Sequence, residues 1–200
     1  MSDVASLDSV LSDPETDGRR RRAQDSRGRI VEAMVALTQA GHIPVSAEMV
    51  AERAGVGLRT VFRHFSDMDS LYREMSLTIE TQFIQGLSEP LTGDTWQERL
   101  RELIGRRITN FETVTPFKRA EAAYRHRSRF LQSDVQRMNT WLRDALIWVL
   151  PEAICNDASR FEVLDLLLSF ESWDRLRRDQ ALSPEQARKA LERAVDTLLA

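Results

Sequence analysis

Arg59 and Arg63 stand four residues apart, so on a helix they share one face, with Leu58 and Phe62 beside them. That set suits the reading of duplex DNA. An arginine fork makes two hydrogen bonds to the major-groove edge of guanine, and an apolar side chain meets the thymine methyl group. Leu58, Arg59, Phe62 and Arg63 are therefore the candidate base readers. Ser46, Thr60 and His64 offer short polar or basic groups suited to phosphate oxygens, contacts that fix register without carrying sequence information. Catalysis has far less behind it, because the single cysteine, Cys155, has neither a histidine nor a recognisable motif near it in sequence. An enzyme is not expected. His42, His64 and His126 are scattered without ligand spacing and read as surface or groove-facing side chains, so no metal and no cofactor is expected.

To present such a face, the segment SAEMVAERAGVGLRTVFRHF, residues 46–65, has to fold as two short helices. Val50 and Ala54 lie four apart on the first, Val61 and Phe65 four apart on the second, and each pair supplies one apolar edge. Ser46 is placed to cap the first helix. Ala51 and Ala54 let the second approach closely, and Gly55 sits where the chain must reverse, a position that favours left-handed backbone. With Val61 and Phe65 turned inward, Leu58, Arg59, Phe62 and Arg63 are left outside. A hairpin whose arginines merely form a solvated face is the competing reading. The cap, the alanines, the glycine turn and the Arg/Thr/His set within twenty residues favour a helix-turn-helix.

The longer stretch RGRIVEAMVALTQAGHIPVSAEMVAERAGVGLRTVFRHFSDMDSLYREM, residues 27–75, resembles the N-terminal domain of the tetracycline-repressor (TetR) family of bacterial regulators. The resemblance lies in a leading helix ending at Gly41, the VAERAGV turn, the TVFRHF recognition segment, and a fourth helix opening at Asp69 and Leu71. It implies an all-helical protein with an N-terminal three-helix DNA-binding domain and a C-terminal domain for effector binding and dimerisation. Three positions depart from the family's usual pattern. Gly57 stands where a serine commonly caps the recognition helix, Phe62 where a tyrosine hydroxyl reaches a phosphate, and Met68 where a lysine does. Arg59, Arg63 and the run Arg19, Arg20, Arg21, Arg22 are the available substitutes, the run as an arm on phosphate or in the minor groove, with a solvated charge run as the equal alternative.

The formal net charge of −3 conceals an asymmetry. Residues 1–18 hold five acids and no Lys or Arg, residues 19–75 hold ten Arg against seven acids, and the remainder is nearly balanced. Only the segment with the helix-turn-helix and its arm is basic, as expected when one module faces phosphate and another does not. No apolar run approaches membrane-spanning length, and the N-terminus lacks the apolar core of a secretory signal, which leads to a cytoplasmic protein with no membrane partner.

Proline and glycine divide the chain into about nine helices with no trustworthy strand pattern, giving an all-α fold. Residues 1–24 read as a disordered acidic and Arg-rich extension, 25–75 as the DNA-binding domain, and 76–200 as the helical effector-binding and dimerisation domain. Within the last, one helix is expected over 95–114 and another from Pro116 to about Arg127, and Val135, Met138, Leu142, Ala145 and Val149 mark a further helix ended by Pro151. From Phe161 to Trp173 apolar residues cover most of a helical circumference, so that helix is expected to be buried on two sides. Ser183, Pro184 and Gln186 supply a cap, a first-turn proline and a capping-box glutamine for the last helix.

Excess apolar surface on these final helices, together with the pairing that the resemblance implies, gives Phe161, Leu164, Leu168, Leu191, Val195 and Leu198 as dimer-interface candidates. Phe111, Phe117, Tyr124, Phe130, Trp141 and Trp148 are the effector-pocket candidates, with plain core packing as the alternative for each. The resemblance implies that an effector bound there shifts the fourth helix and so the two reading heads. The expected partners are double-stranded operator DNA, a small-molecule effector and a second copy of the chain, acting as a repressor. The rival reading is a helical adaptor whose helix-turn-helix no longer binds DNA specifically.

Overall fold

The structure, a computed structural model, describes residues 14–124 and 129–200, with side chains described over 21–123 and 136–200. The described residues form ten α-helices: α1 (Pro14–Gln39), α2 (Ala47–Ala54), α3 (Leu58–His64), α4 (Met68–Leu87), α5 (Trp96–Tyr124), α6 (Arg129–Val149), α7 (Glu152–Cys155), α8 (Ala158–Leu167), α9 (Phe170–Asp174) and α10 (Pro184–Leu199). A π-helical turn, Arg175–Asp179, continues α9. The fold is all-α.

Helix α1 begins earlier than the composition of its first turns suggests. Residues 14–24, part of the expected disordered extension, are helical. The remainder of that extension, residues 1–13, lies outside the described residues.

Three helices and the start of a fourth enclose the N-terminal core. Ile30, Ala33, Met34 and Leu37 of α1 are buried against Val50, Ala51 and Ala54 of α2, Val61 of α3, Phe65, and Leu71, Tyr72 and Met75 of α4. The two-helix hairpin forms as its sequence dictates. Ser46 Oγ accepts from the Met49 amide, and Gly55, at φ +63°, ends α2 in the left-handed region while its N–H bonds back to the helix.

Helix α4 leaves this core and runs into the body. An Asp67–Ser70 capping box starts it, and its residues Ile79, Phe83 and Leu87 are buried on the body side. One rod thus belongs to both parts.

The body corrects the sequence in two places. Pro116 lies inside a continuous α5 and does not open a new helix. Its ring removes one backbone donor, but Phe111, Val114, Phe117 and Ala120 continue a buried stripe across it, and that packing keeps the helix whole. The apolar stretch 161–173 is not one helix buried on two sides. It breaks after Leu168, where Ser169 Oγ accepts from the Ser172 amide and caps α9. The two pieces turn Phe161, Leu164, Leu168 and Trp173 inward. Helix α10 begins with the expected Ser183–Gln186 capping box and Pro184, and buries Ala187, Leu191 and Val195 against the body.

Arg107 of α5 is only 1% exposed. Its guanidinium donates to the carbonyls of Leu142 on α6 and Leu168 at the end of α8. Burial lowers its pKa to about 10, opposed by the charge of Asp165, so it stays protonated while tying three helices together.

Candidate nucleic-acid interface

The outer face of α3 is assembled from neighbours in sequence. Leu58, Arg59, Phe62 and Arg63 are all exposed, Phe62 at 47%, while Val61 and Phe65 are sealed into the core. Large apolar groups so exposed on a seven-residue helix that already has an apolar inner edge suit a partner surface. Among the described residues, neither arginine is engaged in an ion pair or side-chain hydrogen bond. Both forks are free for an external acceptor.

The phosphate-contact candidates sit differently from one another. Ser46 is exposed at the N-terminus of α2, where the helix dipole favours an anion. Beside it, hydrogen bonds from its own backbone and from Ser46 hold the Glu48 carboxyl below its ordinary range, so a negative charge faces any phosphate docked there. Thr60 is half-buried in the first turn of α3. His64 points less favourably: its Nε2 is buried with no hydrogen-bond partner, so this nitrogen reaches a phosphate only if the ring rotates. Burial, then the charges of Arg63 and Arg27, holds its pKa below the usual value.

Each departure from the family pattern also has a place. Gly57 caps α3 without a side-chain hydrogen bond and at φ −72°, a backbone open to any residue. Met68 opens α4 and packs against the core instead of facing outward as a cation. Of the arginine run, Arg21 and Arg22 are exposed on α1, and the side chains of Arg19 and Arg20 lie outside the described residues.

A second candidate site lies in the body. Between α4, α5 and α6 is a narrow cleft of about 40 Å³, walled by Ile79, Phe83, Val114, Phe117 and Met138. Its polar rim carries Glu80, which Arg137 holds by two hydrogen bonds of 2.9 and 2.7 Å, and Glu121, which Lys118 holds at 3.1 Å.

The six aromatic candidates do not converge there. Phe117 lines the cleft. Phe111 lies behind it in a stack with Phe83, ring centroids 6.1 Å apart. Trp141 and Trp148 line a separate groove with Leu87, Pro90 and Leu91, Trp148 being 74% exposed. The side chains of Tyr124 and Phe130 lie outside the described residues. Phe83 is the residue that sequence reading missed. It meets Phe111 and, edge-on at 6.3 Å, Trp141, and its only signal was its place in the series Met75, Ile79, Phe83, Leu87 on α4.

Of the dimer-interface candidates, Phe161, Leu164, Leu168, Leu191 and Val195 are buried within the chain's own core, and Leu198 is half-buried. Exposed apolar side chains nearby include Val163 and Leu166 of α8, Leu166 at 64% exposure, with Ile147 and Trp148 of α6. Arg143 bridges these two helices through Glu162 and Asp165. Among the described residues there is no metal-ligating cluster, and no helix is long and apolar enough to cross a membrane.

Comparison with known proteins agrees with the geometry. The family described as "Bacterial regulatory proteins, tetR family" matches residues 30–75. No curated protein matches. Among solved structures, one from Pseudomonas aeruginosa PAO1 aligns with TM-score 0.65 at 16% identity, covering 94% of this chain and 92% of its own. A tetR-family transcriptional regulator from Streptomyces coelicolor aligns with TM-score 0.63 at 19% identity, covering 88% and 80%. The multidrug binding protein EbrR, solved with imidazole, aligns with TM-score 0.54 at 20% identity, covering 84% and 93%. At these identities the likeness is one of fold.

Proposed function

We propose that this chain, whose residues 30–75 match the tetR family and whose helices share the fold of a tetR-family regulator, is a homodimeric, ligand-responsive DNA-binding regulator of transcription. It acts in the cytoplasm as a repressor of an approximately palindromic operator and is released by a small-molecule effector. The observation that carries this reading is the outer face of α3, where Arg59 and Arg63 are exposed with no partner among the described residues, flanked by Leu58 and Phe62. Arg59 and Arg63 read guanine edges, Leu58 and Phe62 meet thymine methyls, and Ser46, Thr60, His64 and the Arg19 to Arg22 run address phosphates.

Two copies are needed because one short helix reads few base pairs. A two-fold axis places a second recognition helix about one turn of DNA away. The exposed set Val163, Leu166, Ile147 and Trp148 supports a subunit contact along α8 and the end of α6. Leu166→Glu is then expected to convert a dimer to monomers in sedimentation.

The cleft lined by Ile79 and Phe83 is the effector site, and at about 40 Å³ it must widen between α4, α5 and α6 to admit a ligand. It lies on the same continuous helix as Leu71 and Met75 of the head's core, on the order of 10 Å away along the axis. A ligand that favours one setting of α4 shifts the population of DNA-competent dimers.

Duplexes selected from a random-sequence pool test the whole reading. An intact palindrome should bind far more tightly than either half-site alone, whereas equal binding contradicts the paired head. The adaptor reading draws on Phe62 and Met68, and predicts binding that is indifferent to salt and to sequence.

A further inference from the structure

Helix α3 is seven residues long, too short to persist without help. Gly57 gives its N-terminus no side-chain cap. Its other end is held from outside by Arg27 of α1. Arg27 Nη1 donates to the His64 carbonyl at 2.9 Å, one of the acceptors left without a partner where α3 ends. Its guanidinium carbon lies 4.3 Å from the centre of the Phe65 ring, and its Nη2 donates to Glu74 Oε2 at 2.9 Å. One side chain therefore touches the last residue of α3, the aromatic anchor after it, and α4.

We propose that Arg27 is the positioning residue of the recognition helix and the link through which α4 sets its seating. An ion pair with both partners about 40% exposed adds little to stability on its own. The geometry of the fork is what counts. The cation completes the negative end of the α3 dipole, the planar guanidinium stacks on Phe65, and the second amino group leaves in the direction of Glu74. A displacement of α4 that carries Glu74 away pulls on the group that holds the end of α3. Lysine keeps the charge but neither forks nor stacks in this way.

This inference rests on the DNA-binding reading for its consequence, though not for its test. Amide exchange of the full-length, DNA-free protein is compared among wild type, Arg27→Gln, Arg27→Lys and Glu74→Gln, with circular dichroism to establish that each variant folds. Exchange over residues 58–65 should rise about tenfold in Arg27→Gln and by less in the other two, while α5 is unchanged. On the selected duplex and a scrambled one, Arg27→Gln should lower the affinity ratio about tenfold with no change in salt slope.

Unchanged exchange over 58–65 in Arg27→Gln overturns the proposal, as does an equal loss on both duplexes with a slope shallower by about one, the mark of a phosphate contact. Loosening in Arg27→Gln without any in Glu74→Gln overturns the link to α4. If wild type binds neither duplex, the DNA-binding reading fails, and the exchange result still decides whether Arg27 seats α3.

Discussion

The head and the body are both helical, yet they are held together by different kinds of contact. In the head, local signals and a compact apolar core coincide: Ser46 caps α2, Gly55 ends it, and Val50, Val61 and Phe65 close the hairpin within twenty residues. In the body, the ties span long stretches of sequence. Arg107 reaches Leu142 and Leu168, and Trp173 Nε1 donates to Glu112 Oε1 at 2.8 Å. The difference bears on function. The reading hairpin is fixed by local signals and clamped once from afar, by Arg27 on His64 and Glu74, whereas the body depends on several such distant ties, each a seam that can open separately.

The largest effect expected from breaking this contrast is in the body. Trp173 is fully buried, and Trp173→Ala removes its ring along with the Glu112 bond, at a cost of about 3–5 kcal/mol in urea unfolding. A loss below about 1 kcal/mol would mean that the body does not depend on that seam.

Next is the reading face. Arg63→Ala should cost about 1–3 kcal/mol against the preferred duplex and relax base preference at one position, with the salt slope kept. A uniform loss on every operator variant would make Arg63 a backbone contact instead.

Glycines sharpen the comparison within the head itself. A Cβ at Gly55 meets nothing within 4 Å, but φ is +63°, so Gly55→Ala should destabilise by about 1–2 kcal/mol through backbone strain alone. Gly28, inside α1 and equally unobstructed, has no such requirement. Gly28→Ala should stabilise by about 0.5–1 kcal/mol, and opposite signs in thermal melts are the check.

The smallest effect is that of His64. Its folded pKa is lowered, chiefly by burial, so the unfolded chain takes up a proton first as pH falls below the ordinary histidine range. Stability is full above that range and declines through it toward acid. His64→Gln should flatten this part of the curve of denaturation midpoint against pH, and an unaltered curve would show that the ring is not desolvated.

What the sequence revealed follows the same division. Ser46, Gly55 and the Ser183–Gln186 box were readable because a cap acts within three or four residues. The outward placement of Leu58, Arg59, Phe62 and Arg63 followed from the inward placement of Val61 and Phe65. Pro116 misled because its local penalty was outweighed by the buried stripe on both sides of it, which only the packed body reveals. Ser169 was lost in an apolar run, although it caps α9 as Ser46 caps α2. Periodicity identified Phe161, Leu164 and Leu168 as apolar but did not say which surface they meet. They pack into the chain's own core and leave Val163 and Leu166 outside. Phe83 and Arg27 acquire their importance only from partners far away in sequence.

The central claim is that the face of α3 binds duplex DNA through charge and base contacts together. Titrating the purified protein against its selected duplex over a range of salt concentrations tests it most directly. The account predicts that log affinity falls linearly with log salt, with a slope of about −0.9 for each phosphate neutralised, so several units in all for a dimer. A slope near zero, with equal affinity for a scrambled duplex, would contradict it.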